Sequence, residues 1–334
     1  MIISASRRTD IPAYYSEWFI NRVKEKYLYV RNPMNIHQIG KISLDRKVVD
    51  GIVFWTKNPI PMLPRLDQLK EYIYYFQFTL TAYGPEIESG LPSKNIKLIP
   101  AFQELSNKIG KERVIWRYDP IFLNERYTMD YHKKYFRVLA SKLAGYTEKC
   151  TISFLDLYRY TIRNIQPFGI RAPLKEEQIE LMMEFSMIAK EFGFYIDTCA
   201  EEIDLTELGI QHSCCIDAAR FEHLGGYRLE AKKDTNQRLI CGCMESIDIG
   251  TYNTCKNGCI YCYANYSKNK VNQQTQSHNP LSPLLFGVVG EDDVIKERKM
   301  KSLVQNQMSF FDLKYKDFYV NLNIIDFTKK IVVY

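Results

Sequence analysis

Eight of the nine cysteines in this 334-residue sequence fall between positions 199 and 262: Cys199, Cys214, Cys215, Cys241, Cys243, Cys255, Cys259 and Cys262. So many soft donors in one stretch point to metal binding. The start, Met1-Ile-Ile-Ser-Ala-Ser-Arg-Arg, reaches charge too early for a signal peptide. A cytoplasmic, reducing setting is therefore expected, where disulfides are rare. Cys150 stands apart before Thr-Ile-Ser-Phe and reads as a small buried residue opening a strand. The sharpest spacing is C-x3-C-x2-C, with Cys255, Cys259 and Cys262 in Thr-Cys-Lys-Asn-Gly-Cys-Ile-Tyr-Cys-Tyr-Ala. Gly258 would let that loop fold closely. Three such thiolates suit an iron cluster, or zinc completed by a fourth ligand. Cys199, Cys215 (preferred to Cys214), Cys241 and Cys243 form a second set of four. That number suits a fully ligated second [4Fe–4S] cluster or zinc.

The elements that must position these groups follow from hydrophobic period. Apolar runs at Ile2–Ser6, Ile52–Thr56, Tyr74–Leu80, Val114–Tyr118, Thr151–Leu155 and Phe194–Thr198 read as strands, with a last one at Met244–Gly250. Between them lie i, i+3, i+4 patterns through Tyr15–Val23, Phe102–Ile109, Tyr135–Leu143 and Leu181–Ile188. Strands alternating with helices predict an α/β fold with parallel pairing, as a (β/α) barrel, complete or partial. In that fold the residues just after the strands carry the site. Arg7, Arg8, Lys57 and Arg117 are then candidates to hold anionic groups. Asp10, Asp119 and Glu201 are candidates to position protons or hydroxyls. Thr9 or Asp10 can also cap a helix that starts near Pro12.

The cysteine loop resembles the cluster-binding loop of the radical S-adenosylmethionine (SAM) enzymes. The resemblance implies a [4Fe–4S] cluster on Cys255, Cys259 and Cys262, with SAM on its open iron. It also implies an electron donor such as flavodoxin or ferredoxin. The reduced cluster would cleave SAM to a 5′-deoxyadenosyl radical that abstracts hydrogen from a substrate. In that superfamily the loop follows the first barrel strand, whereas here it follows the last, which implies a circularly permuted barrel. The chain as a whole resembles an uncharacterised bacterial family catalogued as domain of unknown function 1848. That likeness runs through Ser4–Pro12, Gly51–Pro59, Trp116–Pro120, Cys241–Cys243, Cys255–Ala264 and His278–Leu285. A looser likeness to spore photoproduct lyase, a DNA-repair enzyme, is confined to the cysteine loop and suggests a nucleic-acid-related substrate.

Composition narrows the classes. Apolar residues are 46% and charged residues 25%, a globular balance that excludes a disordered or fibrous chain. No apolar run approaches the ~20 residues of a membrane span. A net charge of +6 permits phosphate-rich partners without demanding them. The expected organisation is a barrel over residues 1–265 and a polar loop with a small extension over 266–334. Ser267–Asn279 reads as a solvated loop, and Tyr319–Ile325 and Ile331–Tyr334 as β-like runs. Gln307-Met-Ser-Phe-Phe311 resembles the short peptide by which bacterial polymerases and repair proteins dock on the sliding clamp. The rival reading is a non-catalytic nucleic-acid or clamp-binding protein with a structural metal.

Overall fold

Short β-branched and aromatic runs become strands, and the amphipathic segments between them become helices, as their periods dictate. The computed structural model describes residues 1–305. It opens with β1 (Ile2–Ala5), α1 (Ile11–Tyr14), α2 (Ser16–Glu25), β2 (Tyr27–Asn32), β3 (Asn35–Ser43), β4 (Gly51–Thr56) and β5 (Tyr74–Thr79). There follow α3 (Ile99–Ile109), β6 (Val114–Ile121), α4 (Met129–Leu143), β7 (Lys149–Phe154), α5 (Arg159–Ile165) and α6 (Lys175–Phe192). The last elements are β8 (Tyr195–Thr198), β9 (Gln211–His212), α7 (Ala218–Gly225), β10 (Ile247–Asp248), α8 (Lys268–Gln276) and β11 (Val294–Glu297).

Eight strands form one sheet in the order β10-β1-β4-β5-β6-β7-β8-β9, and every neighbouring pair is parallel. All carboxyl ends therefore share one edge, as crossover connections require. The sheet does not close among the described residues. It ends at β9 and β10, each only two residues long, which leaves no ladder with which to join the ends. The α/β class stands, and the closed form of the expected barrel is not seen.

The two faces of the sheet differ. On one, Ile3, Phe54, Phe76, Phe78, Trp116, Tyr118 and Ile152 pack into the main core with residues of α3, α4 and α6. Phe136 of α4 stacks between Trp116, at 4.9 Å, and Phe185 of α6, at 3.9 Å. Fully burying each such side chain stabilises the fold by about 1.5–3 kcal/mol. On the other face Ile2, Val53, Tyr75 and Ile115 meet Cys215, Ile216, Phe221, Cys241, Cys243 and Met244. The cysteine-bearing section thus covers the second face, which the helices leave open.

Three elements depart from the sequence expectations. β2 and β3 form an antiparallel hairpin that β11 extends in parallel, a second sheet that no regular apolar alternation announces. The polar run after Ser267 is helical as α8, because the Ser267 hydroxyl caps Lys270 N–H at 3.3 Å and Val271 is buried. The strand expected over Met244–Gly250 shortens to β10. Asp10 does cap α1, accepting from Ala13 N–H at 3.0 Å, and Gly226 ends α7 in the left-handed conformation. Cys150 is buried in β7, as expected. No helix among the described residues is long and apolar enough to cross a membrane. The expected β-like runs after residue 305 and the clamp-like peptide Gln307–Phe311 lie outside the described residues.

Candidate functional site

Parallel pairing delivers the expected residues to one edge of the sheet. Arg7 and Arg8 follow β1, Lys57 follows β4, Arg117 and Asp119 lie within β6, and Cys199 and Glu201 follow β8. The three-cysteine loop follows β10, which pairs with β1 at Ile3↔Ile247 and Ser4↔Asp248.

That loop stands on charged supports. Glu88, only 2% exposed, accepts from Lys57 Nζ at 2.9 Å, from Thr81 Oγ1 at 3.1 Å, and from Lys94 Nζ and the Tyr261 hydroxyl. Burial alone would raise its carboxyl, but the Lys57 and Lys94 ammonium groups hold it at about 2. Asp10 uses all four acceptor positions of its carboxylate: Ala13 N–H, Thr56 Oγ1 at 2.7 Å, Lys57 N–H at 2.8 Å and Asn257 Nδ2 at 3.0 Å. The Tyr14 hydroxyl donates to Asn257 Oδ1 at 2.8 Å, and the Tyr15 hydroxyl donates to the Thr254 carbonyl. The loop also lies directly on the segment after β5. Gly90 N–H donates to the Asn257 carbonyl at 2.9 Å and Ile260 N–H to that of Ile87 at 3.0 Å. A Cβ at Gly90 would stand 2.0 Å from the Lys256 carbonyl oxygen, so only glycine permits the approach. Cys255, Cys259 and Cys262 are half-buried, and burial pushes the Cys259 thiol up to about 12.

The second set is assembled differently. Cys199 Sγ lies 2.7 Å from Cys215 Sγ, and Cys241 and Cys243 pack in the same buried cluster, with Ile216 N–H donating to Cys243 Sγ at 3.4 Å. Arg117 Nη1 donates to Cys215 Sγ at 2.9 Å, while Nε and Nη2 grip Asp119 Oδ2 at 3.1 and 2.6 Å. Hydrogen bonds from Cys199 and Cys243, with Arg117 and Arg7 nearby, hold the Cys215 thiol well below its ordinary range against the cost of burial. Cys214 stays outside this chain of thiols and donates to the Gly242 carbonyl at 3.0 Å.

Arg7 and Arg117 both lie over the Trp55 ring, at 5.1 and 5.4 Å. Arg8 covers Tyr252 at 5.1 Å and approaches Asp248 at 4.0 Å. Asp119 also accepts from the Ser153 hydroxyl. Glu201 accepts from Phe154 N–H at 2.9 Å, and burial pushes its carboxyl up to about 7. A cavity of about 540 Å³ opens between β10 and the hairpin sheet, lined in part by Arg7, Arg8, Asn32, Gln38, Asp248 and Arg298.

Glu88, Trp55, Asn257 and Asp248 were not singled out from the sequence. Asp248 accepts from Ser4, Ser6 and the Arg7 and Gly250 N–H groups, so it ties β10 to β1. Alternation along β4 places Trp55 on the same face as Val53, a signal available in sequence. Glu88 lies in a loop of no distinctive pattern.

Among the described residues, no group of three or more His, Cys, Asp or Glu side chains stands where it could hold a metal ion. A single ion would need its thiolates gathered around one point at about 2.3 Å. A four-iron cluster instead gives each thiolate its own iron. Cys255, Cys259 and Cys262 supply three thiol donors on one loop, the donor type that such a cluster takes.

Searches of curated proteins and of solved structures found no match. A family model matches residues 2–264, from the first strand through the cysteine loop, and the chain belongs to the family described as Domain of unknown function (DUF1848).

Proposed function

We propose that this protein is an iron–sulfur enzyme of the radical SAM type, built on a partial, circularly permuted (β/α) barrel. One observation carries the reading: the C-x3-C-x2-C loop follows β10, and β10 sits at one end of the parallel sheet beside β1. Counted across the sheet rather than along the chain, the strand bearing the loop comes first. That is the order a permutation of the superfamily's arrangement would produce, with the loop at the carboxyl edge where α/β folds carry their sites.

Cys255, Cys259 and Cys262 would hold a [4Fe–4S] cluster. When bound, it supplies one-electron cleavage of SAM to methionine and a 5′-deoxyadenosyl radical. The chain's own residues do the rest. Asp10 and Glu88 hold the loop in position through Asn257 and Tyr261, so they are positioning residues. Arg7, braced on Trp55, and Arg8 line the adjacent cavity and can meet an anionic group there. Asp119 keeps Arg117 directed at Cys215. Glu201 is a carboxyl at the same edge, suited to holding a proton. Cys199, Cys215, Cys241 and Cys243 supply the four thiolates a second, fully ligated cluster would need, each on its own iron.

The test is anaerobic iron–sulfur reconstitution, followed by electron paramagnetic resonance and an assay for 5′-deoxyadenosine. The expected product is brown, with about four irons per cluster. Signal and SAM cleavage should be lost in Cys255→Ala, Cys259→Ala and Cys262→Ala. Full iron and SAM cleavage in all three variants would refute the assignment. A colourless protein with stoichiometric zinc would favour the structural-metal rival.

A further inference from the structure

Two segments that leave distant strands meet across the carboxyl edge of the sheet. One follows β7 and contains Tyr158 and α5; the other follows the cysteine loop after β10, five positions away in the sheet order. Tyr158 lies against Tyr263 with ring centroids 5.4 Å apart. Tyr160 stacks on Tyr266 at 5.3 Å, with the planes 29° apart. The four rings stay open to solvent, Tyr158 and Tyr263 at 42%, Tyr266 at 46% and Tyr160 at 57% exposed. Leu157 and Ile162 beside them are exposed as well. Clustered exposed apolar groups of this kind mark interaction surfaces.

Charge identifies the occupant. Residues 157–172 contain Arg159, Arg163 and Arg171 and no acidic residue; residues 249–290 contain Lys256, Lys268 and Lys270 and likewise none. Arg171 is paired to Glu177 at 2.6 Å, and the nearest acid before the first segment, Asp156, is paired to Arg238 at 2.9 Å. The geometry points to a binding surface for single-stranded nucleic acid along these tyrosine pairs. Unpaired bases offer ring faces to stack on tyrosines, and phosphates answer to Arg and Lys side chains of the same two segments. A duplex hides its base faces, and an acidic peptide has no use for the rings. The Tyr263 hydroxyl donates to the Arg7 carbonyl at 3.1 Å, which ties this surface to the end of β1 and the edge bearing the cysteine loop.

This names a substrate class for the function proposed above and rests on that reading only for the chemistry, since binding requires neither iron nor SAM. The full chain is titrated into a fluorescein-labelled oligothymidylate of about 20 nucleotides, and fluorescence anisotropy is followed between about 50 and 200 mM salt. Micromolar binding that weakens with salt is expected. The double variant Tyr160→Ala/Tyr266→Ala should bind at least about tenfold more weakly, while Tyr160→Phe/Tyr266→Phe, which keeps both rings, should bind as the parent does. Arg159→Gln/Arg163→Gln should flatten the logarithmic salt slope by about 0.7 for each phosphate no longer neutralised. If the alanine variant fails to fold, the arginine variant decides, and an unchanged slope overturns the proposal. So would no binding at low salt, undiminished binding by a folded alanine variant, or equal binding of a same-length duplex or a labelled polyglutamate. Nucleic-acid binding without SAM cleavage would sink the enzyme reading and leave this one standing, and the converse result would do the reverse.

Discussion

The two cysteine groups lie near the same edge of one sheet, yet their surroundings are opposites. Cys255, Cys259 and Cys262 sit on an irregular loop held from outside by buried charge, with Glu88 among Lys57, Lys94 and Tyr261 and Asp10 among four donors. Cys199, Cys215, Cys241 and Cys243 touch one another inside an apolar cluster, with the Arg117 guanidinium as their charged contact. The first arrangement keeps half-buried thiols at fixed positions on the loop. The second buries them in the apolar packing of the covered face, against the Arg117 guanidinium. The contrast implies that the loop set fails when its buried carboxylate support is removed, and the packed set when the Arg117 guanidinium that touches it is removed.

The largest effect should come from Glu88→Gln. It leaves the Lys57 and Lys94 ammonium groups, both mostly buried, without their counter-charge, a loss of about 3–5 kcal/mol. Urea denaturation should show the loss, and anaerobic iron uptake by the loop should fall with it. A variant as stable as the parent would mean that the loop does not depend on this support. Arg117→Met should cost about 2–3 kcal/mol, because Asp119 and Cys215 lose charge-assisted hydrogen bonds. Arg117→Lys should not restore them, since a single ammonium cannot reproduce the forked grip; full rescue by lysine would show that only charge matters there.

A third effect sets the background for both. His132, fully buried on the helix-covered side, contacts the Tyr118 hydroxyl and the Phe122 carbonyl, and burial lowers it to about 4. An unfolded histidine titrates near 6.5, so the unfolded chain binds the proton first as pH falls. The stabilisation is complete above about pH 6.5 and is lost progressively toward pH 4, amounting to about 2 kcal/mol between pH 7 and pH 5. Denaturation at the two pH values should show this loss in the parent and a smaller one in His132→Gln. An equal loss in both would assign the acid sensitivity to other groups. The smallest effect is expected for Gly258→Ala, at about 1–2 kcal/mol. Its φ of +66° disfavours a side chain, and a Cβ there would meet Ser89 Oγ at 2.3 Å. Adding Ser89→Gly should recover the part due to the clash and leave the backbone part; complete recovery would show that the left-handed conformation costs nothing.

What could be read from the residues alone is what depends on near neighbours in the chain. Short apolar runs marked seven of the eight strands in the main sheet, the last of them longer than it is, and helical period marked α2, α3, α4 and α6. The Asp10 cap and the C-x3-C-x2-C spacing are equally local, and so was the inference that polar residues gather where parallel strands end. Only the tertiary structure decided that the sheet stops at two short edge strands instead of closing, and that β11 joins the β2–β3 hairpin. It also decided that the buried partner of Lys57 and Tyr261 is Glu88, 31 and 173 residues away, and that tyrosines after β7 and β10 meet in pairs. Periodicity reports which face of an element is buried, because that repeats every few residues. Which carboxylate meets which ammonium depends on how elements far apart in the chain are brought together, and no repeat within either segment encodes it.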